Sequence, residues 1–189
     1  QRQMCIRDSM WNYCVSKMAD KQLQWIAAST RCNHEVSLRD YFRENGHEHF
    51  IPTRFVLQRF GSVVREVEKA VIPNLIFLRV GWGEAFRIQQ RWPNKMTYIR
   101  SKDKRILVIP EPEMDRFIRV MTEMQDRAKL LADVFVTGDR VAVREGPLAG
   151  VEGVLADCGG KREFVVRIGT LCAVSVRIPR SNLIRLPKQ

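Results

Sequence analysis

The fold class is decided by residues 138–186, which read GDRVAVREGPLAGVEGVLADCGGKREFVVRIGTLCAVSVRIPRSNLIRL. Short runs of alternating apolar and polar residues are interrupted there by glycine-containing turns at close intervals. In the first run, Val141 and Val143 share one face and two arginines share the other, which is typical of a half-buried strand. Because a small sheet leaves its edges exposed unless it closes, this stretch predicts a small five-stranded β-barrel.

Turn residues predict where these strands begin and end. Gly146, Pro147 and Gly150 follow the first run; proline fixes φ, and glycine permits the positive φ of tight turns. Gly159 and Gly160 form a hairpin signal between the second and third runs. The expected strands are 140–144, 151–156, 164–168, 171–178 and 183–186.

The residues before this barrel predict helices and strands in alternation. A nearly continuous apolar run at 71–78 predicts a central strand, and an amphipathic pattern at 111–124 predicts a helix. Two further helices are expected at 36–45 and 84–91. The remaining expected elements are strands at 25–30, 97–100 and 106–109 and a hairpin centred on 59–62.

Together these elements predict an α+β chain. We expect an N-terminal α/β sandwich at 18–125, with a mixed or antiparallel sheet flanked by helices, then a linker at 126–137 and the barrel at 138–189. The linker either connects the two domains or extends the preceding helix. Residues 1–17 lack periodicity and are expected to be an extraneous or disordered segment that packs little. The alternative is an extra helix that uses Met10, Trp11 and Tyr13.

The charge balance narrows the class of partner. The chain has 32 Lys and Arg against 21 Asp and Glu, a formal net charge of +11. The excess is spread over both halves, which suits a polyanion-rich neighbourhood without marking one groove. A generally basic surface explains the same numbers.

Cysteine and histidine usage argues against metal, disulfide and catalytic chemistry. The five cysteines form no C-x-x-C pair, which argues against a zinc ribbon and a disulfide framework and favours reduced thiols in the cytoplasm. His47 and His49 flank Glu48, but no second ligand cluster accompanies them, so turn or strand positions are favoured over a metal site. No apolar run approaches the roughly 20 residues of a membrane span. We therefore expect no membrane partner. No catalytic motif is present, so we expect that the protein is not an enzyme and binds no cofactor or metal.

The barrel region resembles a known module. Residues 144–155, REGPLAGVEGVL, resemble a KOW motif, with Gly146, Pro147, Gly150 and Gly153 at its positions. The resemblance implies that the barrel is an SH3-like KOW domain. KOW modules occur in NusG-type transcription factors and in ribosomal proteins, so the N-terminal half decides between them.

That half resembles the NusG N-terminal domain. The matching features are Trp25 opening the first strand, Glu35 at the start of the helix, FIP at 50–52 and IPNLIF at 72–77. The segments MTYIR at 96–100 and VIPEPEMDRFI at 108–118 resemble the UpxY branch, specialised antiterminators of bacterial polysaccharide gene clusters. Asn74 departs from the glycine that is more common in NusG proteins, and Ile72 and Leu75 replace aromatic residues. Both departures favour a specialised paralogue.

The resemblance implies a transcription elongation or antitermination factor. Such a factor binds the clamp of RNA polymerase and suppresses pausing or termination, here at a polysaccharide biosynthesis operon, and we expect it to be a monomer. The KOW domain would contact a second partner, one candidate being a small-subunit ribosomal protein. The alternative is a ribosome-associated or RNA-binding KOW protein without polymerase contact.

Two sets of contact residues follow from the resemblance. The implied polymerase-binding residues are Ile72, Leu75, Phe77 and Phe86. The implied contacts to the non-template DNA strand are Arg31, His34 and Arg39. If these do not touch DNA, the expected contact is the basic hairpin around Arg54, Arg59 and Arg65.

Overall fold

The computed structural model describes residues 22–31, 33–124, 127–131 and 137–187. In these residues the helices are α1 (Glu35–Glu44), α2 (Trp82–Arg91) and α3 (Glu111–Glu123). The strands are β1 (Gln24–Thr30), β2 (Glu48–Phe50), β3 (Thr53–Phe60), β4 (Val63–Ala70), β5 (Leu75–Val80), β6 (Met96–Tyr98), β7 (Val108–Ile109), β8 (Lys129–Leu130), β9 (Gly138–Val143), β10 (Glu152–Asp157), β11 (Arg162–Ile168), β12 (Cys172–Val176) and β13 (Leu183–Arg185). The fold is therefore α+β, as the sequence predicts. The predicted segment 1–17 lies outside the described residues.

Backbone contacts group the chain into two compact units, one ending at Val108 and one beginning at Ile109. Helix α3 groups with the second unit, whereas the sequence assigns it to the end of the first domain. The domain bounds 18–125, 126–137 and 138–189 stay a prediction.

The first unit is organised by an antiparallel sheet. Its strand order is β2-β5-β1-β6, and β7 also pairs with β1. Leu38 and Phe42, four residues apart on α1, are buried on the same cluster as Ala85 and Ile88 of α2. Alternate residues of β1 and β5 complete this cluster, so both helices cover one face of the sheet.

A buried carboxylate fixes the turn that leads into β5. Glu35, in the first turn of α1, accepts a hydrogen bond of 2.7 Å from the backbone N–H of Asn74. Asn74 has φ of 58°, a conformation that asparagine and glycine tolerate better than other residues. The asparagine at this position therefore meets the same backbone requirement as a glycine.

The hairpin β3–β4 forms a two-stranded sheet of its own. Its register runs from Thr53 opposite Ala70 to Phe60 opposite Val63, and Gly61 occupies the turn with φ of 62°. This confirms the hairpin predicted around 59–62, and its second strand, β4, ends at Ala70.

The second unit contains the five strands predicted for the barrel, β9 to β13. They lie in one antiparallel sheet of order β13-β9-β10-β11-β12-β8. No pairing between β13 and β8 closes this order within the described residues, so a closed barrel is not shown. Of the two alternatives for the linker, an extension of the preceding helix does not hold at Lys129 and Leu130, which form β8 and pair with β12.

Burial and hydrogen bonding shift the pKa values of one carboxylate and two thiols in this sheet. The carboxylate of Glu163 accepts hydrogen bonds from Ser175 Oγ at 2.6 Å and Arg177 Nε at 3.1 Å. The Ser175 hydroxyl, followed by Arg177, lowers the pKa of Glu163 despite its burial. Burial raises the pKa of Cys172 to about 12 and also raises that of Cys158, so both thiols stay protonated at neutral pH.

Candidate nucleic-acid and protein interfaces

Half of the ten large apolar side chains that are exposed in the described residues lie on the β3–β4 hairpin. Phe55 is 66% exposed and Leu57 is 76% exposed. Phe60, Val63 and Val64 on the same hairpin are also exposed. Because monomeric proteins rarely expose contiguous apolar patches without a role, this hairpin is the strongest candidate for an interaction surface in the first unit.

The hairpin has two chemically different faces, because residues directly opposite each other share a face and neighbours alternate. One face carries both glutamates of β4, and we call it the acidic face: Thr53, Phe55, Leu57, Arg59, Val64, Glu66, Glu68 and Ala70. The other carries three cations and no acid, and we call it the basic face: Arg54, Val56, Gln58, Phe60, Val63, Arg65, Val67 and Lys69.

A cleft of about 520 Å³ lies between this hairpin and the start of α1. The basic face contributes side chains from both of its strands to the lining, and the residues around the α1 N-terminus contribute the opposite wall. The residues that line the cleft are Asn33, Glu35, Val36, Gln58, Phe60, Val67, Glu68, Lys69, Ala70 and Pro73. A cavity of this size falls in the range of small-molecule sites.

The three residues expected to contact DNA do not form one site. Arg31 is exposed, and its carbonyl accepts a hydrogen bond of 3.2 Å from the N–H of His34 in the turn before α1. Arg39 lies further along the helix, and its guanidinium points to the hairpin. It donates hydrogen bonds to Thr53 Oγ1 at 3.0 Å and to both carboxylate oxygens of Glu68.

These contacts hold the Arg39 side chain, which is only 13% exposed, in an internal ion pair. The hydrogen bond to Glu68 raises the pKa of Arg39, and the reciprocal bond from Arg39 lowers the pKa of Glu68. A second carboxylate, that of Asp40, lies 2.9 Å from the same guanidinium. Because all its charge is compensated inside the unit, Arg39 is a structural link between α1 and the hairpin. Its predicted DNA contact stays a prediction.

Replacing Arg39 by Ala is expected to lower the free energy of unfolding by about 2 kcal/mol, because Glu68 and Thr53 lose a charged donor. Glu68 has a lowered pKa when folded, so this stabilisation is present at neutral pH and is lost as the pH falls through that pKa. Thermal unfolding near pH 7 and near pH 3 measures both values. The control is Arg43→Ala, an exposed arginine of the same helix, with an expected change within about 0.5 kcal/mol. An equal loss at both pH values would contradict an ion-pair origin.

Three of the four residues expected to contact polymerase are buried. Ile72, Leu75 and Phe77 are 8% exposed or less, and the Phe77 ring lies 6.5 Å from that of Phe50. Phe86, on α2, is 62% exposed. Phe86 is therefore the one member of this set that offers its side chain to a partner.

The four residues of the KOW-like motif share one turn and the strand after it. Gly146 and Gly150 have φ of 92° and 81°, and Leu148 between them is buried. Pro147 uses its carbonyl to accept a hydrogen bond of 3.0 Å from Arg119 Nε of α3. Gly153 lies within β10, where lack of space rather than a positive φ favours glycine. A Cβ there would lie 2.5 Å from the carbonyl oxygen of Val165.

The histidines considered as metal ligands contact protein groups, and the helices are not suited to span a membrane. His49 Nδ1 lies 2.8 Å from the carbonyl oxygen of His47, and His47 Nε2 lies 3.5 Å from a carboxylate oxygen of Glu84. Within the described part of the chain, no group of three or more His, Cys, Asp or Glu is placed to hold a metal ion. None of the helices α1 to α3 has the length and apolar character that crossing a membrane requires.

The cleft between the hairpin and the start of α1 was not predicted from the sequence. Lys69 and Phe60 are nine residues apart, and only the hairpin register places them on one face beside the start of α1. The signal that could have found them is the alternation along both arms of the hairpin, read together with a turn at Gly61.

Comparison with known proteins gives a likeness in structure but no match to a family model or a curated protein. No family model matches the chain, and no curated protein matches it. Among solved structures, the chain is similar to one titled domain interaction in Thermotoga maritima NusG. The identity is 18%, the alignment covers 87% of this chain and 98% of that chain, and the TM-score is 0.49.

Proposed function

We propose that this protein is a transcription elongation and antitermination factor of the NusG type, closest to the UpxY branch. It binds RNA polymerase at the clamp and suppresses pausing or termination at a polysaccharide biosynthesis operon. Its second unit acts as a KOW domain that contacts another partner, one candidate being a small-subunit ribosomal protein.

The observation that carries this proposal is the exposed apolar surface of the β3–β4 hairpin. Phe55 and Leu57 lie side by side on its acidic face, where nothing in the described residues buries them. A surface of this kind supports a binding role. The sequence resemblance, from Trp25 to the KOW-like motif, supplies the identity of the partner.

The proposed mechanism requires binding alone. A factor that contacts both sides of the polymerase cleft favours the closed state over the opened, paused state by the difference in its affinity for the two. Phe86 on α2, and Phe55 and Leu57 on the acidic face of the hairpin, are among the exposed apolar side chains of the first unit that are available for such a contact.

Affinity purification of the tagged full-length chain from a bacterial lysate tests the proposal. Core polymerase subunits are expected to co-purify in stoichiometric amount, and they should be lost with Leu57→Asp, an exposed position where a charge leaves the fold intact. The matched control is Ile184→Asp on β13, which places the same charge on an exposed aliphatic residue of the second unit and should leave polymerase recovery unchanged. Recovery of ribosomal subunits without polymerase would contradict the proposal and favour a ribosome-associated KOW protein.

A further inference from the structure

A second cleft, of about 310 Å³, lies between α3 and the sheet, both within the second unit. Helix α3 packs against β11, and the carboxylate of Glu113 in its first turn accepts a hydrogen bond of 3.1 Å from the backbone N–H of Gly169. This bond joins the start of α3 to the turn that follows β11. We call this the arginine cleft, and its lining residues are Glu113, Arg116, Arg140, Glu152, Gly153, Val154, Val165, Val166, Arg167 and Gly169.

The arginine cleft takes its three arginines from three different elements. Arg140 of β9 lies directly opposite Val154 of β10, and Val154 lies opposite Val165 of β11, so these residues share one face of the sheet. Arg167 is two residues beyond Val165 on β11 and therefore lies on the same face. Arg116 belongs to α3 and lines the cleft from the helix. Three guanidinium groups thus line one cavity, and the two valines form an apolar floor on its sheet side.

The two acids of this cleft leave part of the positive charge uncompensated. Glu113 is engaged by a backbone N–H. One carboxylate oxygen of Glu152 lies 3.7 Å from a guanidinium nitrogen of Arg116 and 3.4 Å from one of Arg140. Both distances exceed the roughly 2.7–2.9 Å of a strong charge-assisted hydrogen bond. Within the described residues the Arg167 side chain has no ion pair or hydrogen bond, so the cleft holds guanidinium donors in excess of its acceptors.

Guanidinium groups from three elements suit an anion that has three terminal oxygens. A phosphate monoester presents three such oxygens and close to two negative charges at neutral pH. The phosphodiester of a nucleic-acid backbone presents two terminal oxygens and one charge. The planar guanidinium fork matches the geometry of phosphate oxygens. The volume lies at the lower end of the range for small-molecule sites, which suits one small phosphorylated compound.

We propose that the arginine cleft binds a small phosphate monoester, with the apolar part of that molecule over the valine floor. The phosphate replaces Glu152 as the partner of Arg116 and Arg140, and Arg167 supplies the third guanidinium. Because the ligand contacts α3 and the sheet at once, it stabilises the packing of one on the other. The inference goes beyond the proposed function and requires no contact with polymerase.

Isothermal titration calorimetry of the full chain with phenyl phosphate tests the class of ligand. We expect saturable binding at one site per chain, tighter than that of inorganic phosphate because the ring buries apolar surface on the valine floor. Methyl phenyl phosphate, the matching diester, is expected to bind at least about tenfold more weakly, the scale of one lost charge-assisted hydrogen bond. Equal affinity for monoester and diester, or no saturable binding, would overturn the proposal. Displacement of phenyl phosphate by a single-stranded oligonucleotide without terminal phosphates would also overturn it, since the cleft would then take a phosphodiester backbone.

Two substitutions with effects of opposite sign test the residues. Arg167→Gln is expected to weaken phenyl phosphate binding about tenfold. Glu152→Gln is expected to strengthen it several-fold, because the carboxylate that competes for Arg116 and Arg140 is removed.

Arg162→Gln is the matched control, since it removes the same charge from β11 at a position outside the cleft lining and should leave affinity unchanged. Arg162 and Arg167 are both exposed, so neither change should disturb the fold. Equal weakening by the Arg167 and Arg162 variants, or weakening by Glu152→Gln, would overturn the proposal. Such a result with polymerase still co-purifying would leave the proposed function standing.

Discussion

Leu75→Asp is expected to unfold the first unit or to lower its free energy of unfolding by at least about 4 kcal/mol. Leu75 is 8% exposed on β5, the strand that pairs with both β1 and β2. The substitution removes the buried leucine and also places a carboxylate where its desolvation is uncompensated. Because domains of this size are stable by only about 5–15 kcal/mol, the loss takes a large share of the total. Thermal unfolding followed by circular dichroism measures it.

Two controls separate burial from other causes. Leu75→Met conserves volume and is expected to cost less than about 1.5 kcal/mol. Phe86→Asp places the same charge on an exposed side chain and is expected to change stability by no more than about 0.5 kcal/mol. A Leu75→Asp protein with an unchanged melting temperature would contradict the placement of this side chain. Polymerase binding is therefore better tested at Phe86 than at Leu75.

The sequence predicts the order and type of nearly every element, because the apolar periodicity that marks an element also creates its buried face. The bounds of β5 are the clearest error. The apolar run predicts a strand from 71 to 78, whereas β5 begins at Leu75. Pro73 has no N–H to donate, and Asn74 has a positive φ, so the chain turns there before the strand begins. Apolar residues in the turn, such as Ile72, are buried without belonging to the strand.

The sites are less predictable than the fold because they depend on register. A hairpin slipped by one residue would exchange its basic and acidic faces, and charge composition alone does not distinguish the two. Arg39 is a second case in which the sequence does not predict whether a charge is free to bind a partner. An arginine on a helix is ordinarily exposed, and only the approach of Thr53 and Glu68 shows that its charge is already paired. The long apolar run at 71–78 indicates burial from the sequence alone, since a strand apolar at every position is covered on both faces.

Gly153→Ala is expected to lower the free energy of unfolding of the second unit by about 3 kcal/mol. A Cβ at Gly153 would lie 2.5 Å from the carbonyl oxygen of Val165 and 2.7 Å from ring atoms of Phe164. The carbonyl is backbone of β11, the neighbouring strand, so this first contact is not relieved by turning a side chain. The strands must separate locally, which disturbs the packing of the buried Phe164 ring. Chemical unfolding of the full chain, followed by a probe of the β-sheet, measures the loss.

A second substitution identifies the source of that loss. In a Phe164→Leu background the ring contact is absent, so Gly153→Ala should cost less there, and the double-mutant cycle should show coupling between the two positions. Gly160→Ala is a control of a different kind, since no atom of the described residues lies within 4 Å of a Cβ built there and its positive φ opposes a side chain. It is expected to cost about 1–2 kcal/mol with no coupling to Phe164. If Gly153→Ala were as stable as the unchanged protein, β10 would have room for a side chain. The glycine of the KOW-like motif would then need a reason outside the sheet, such as close approach of a partner.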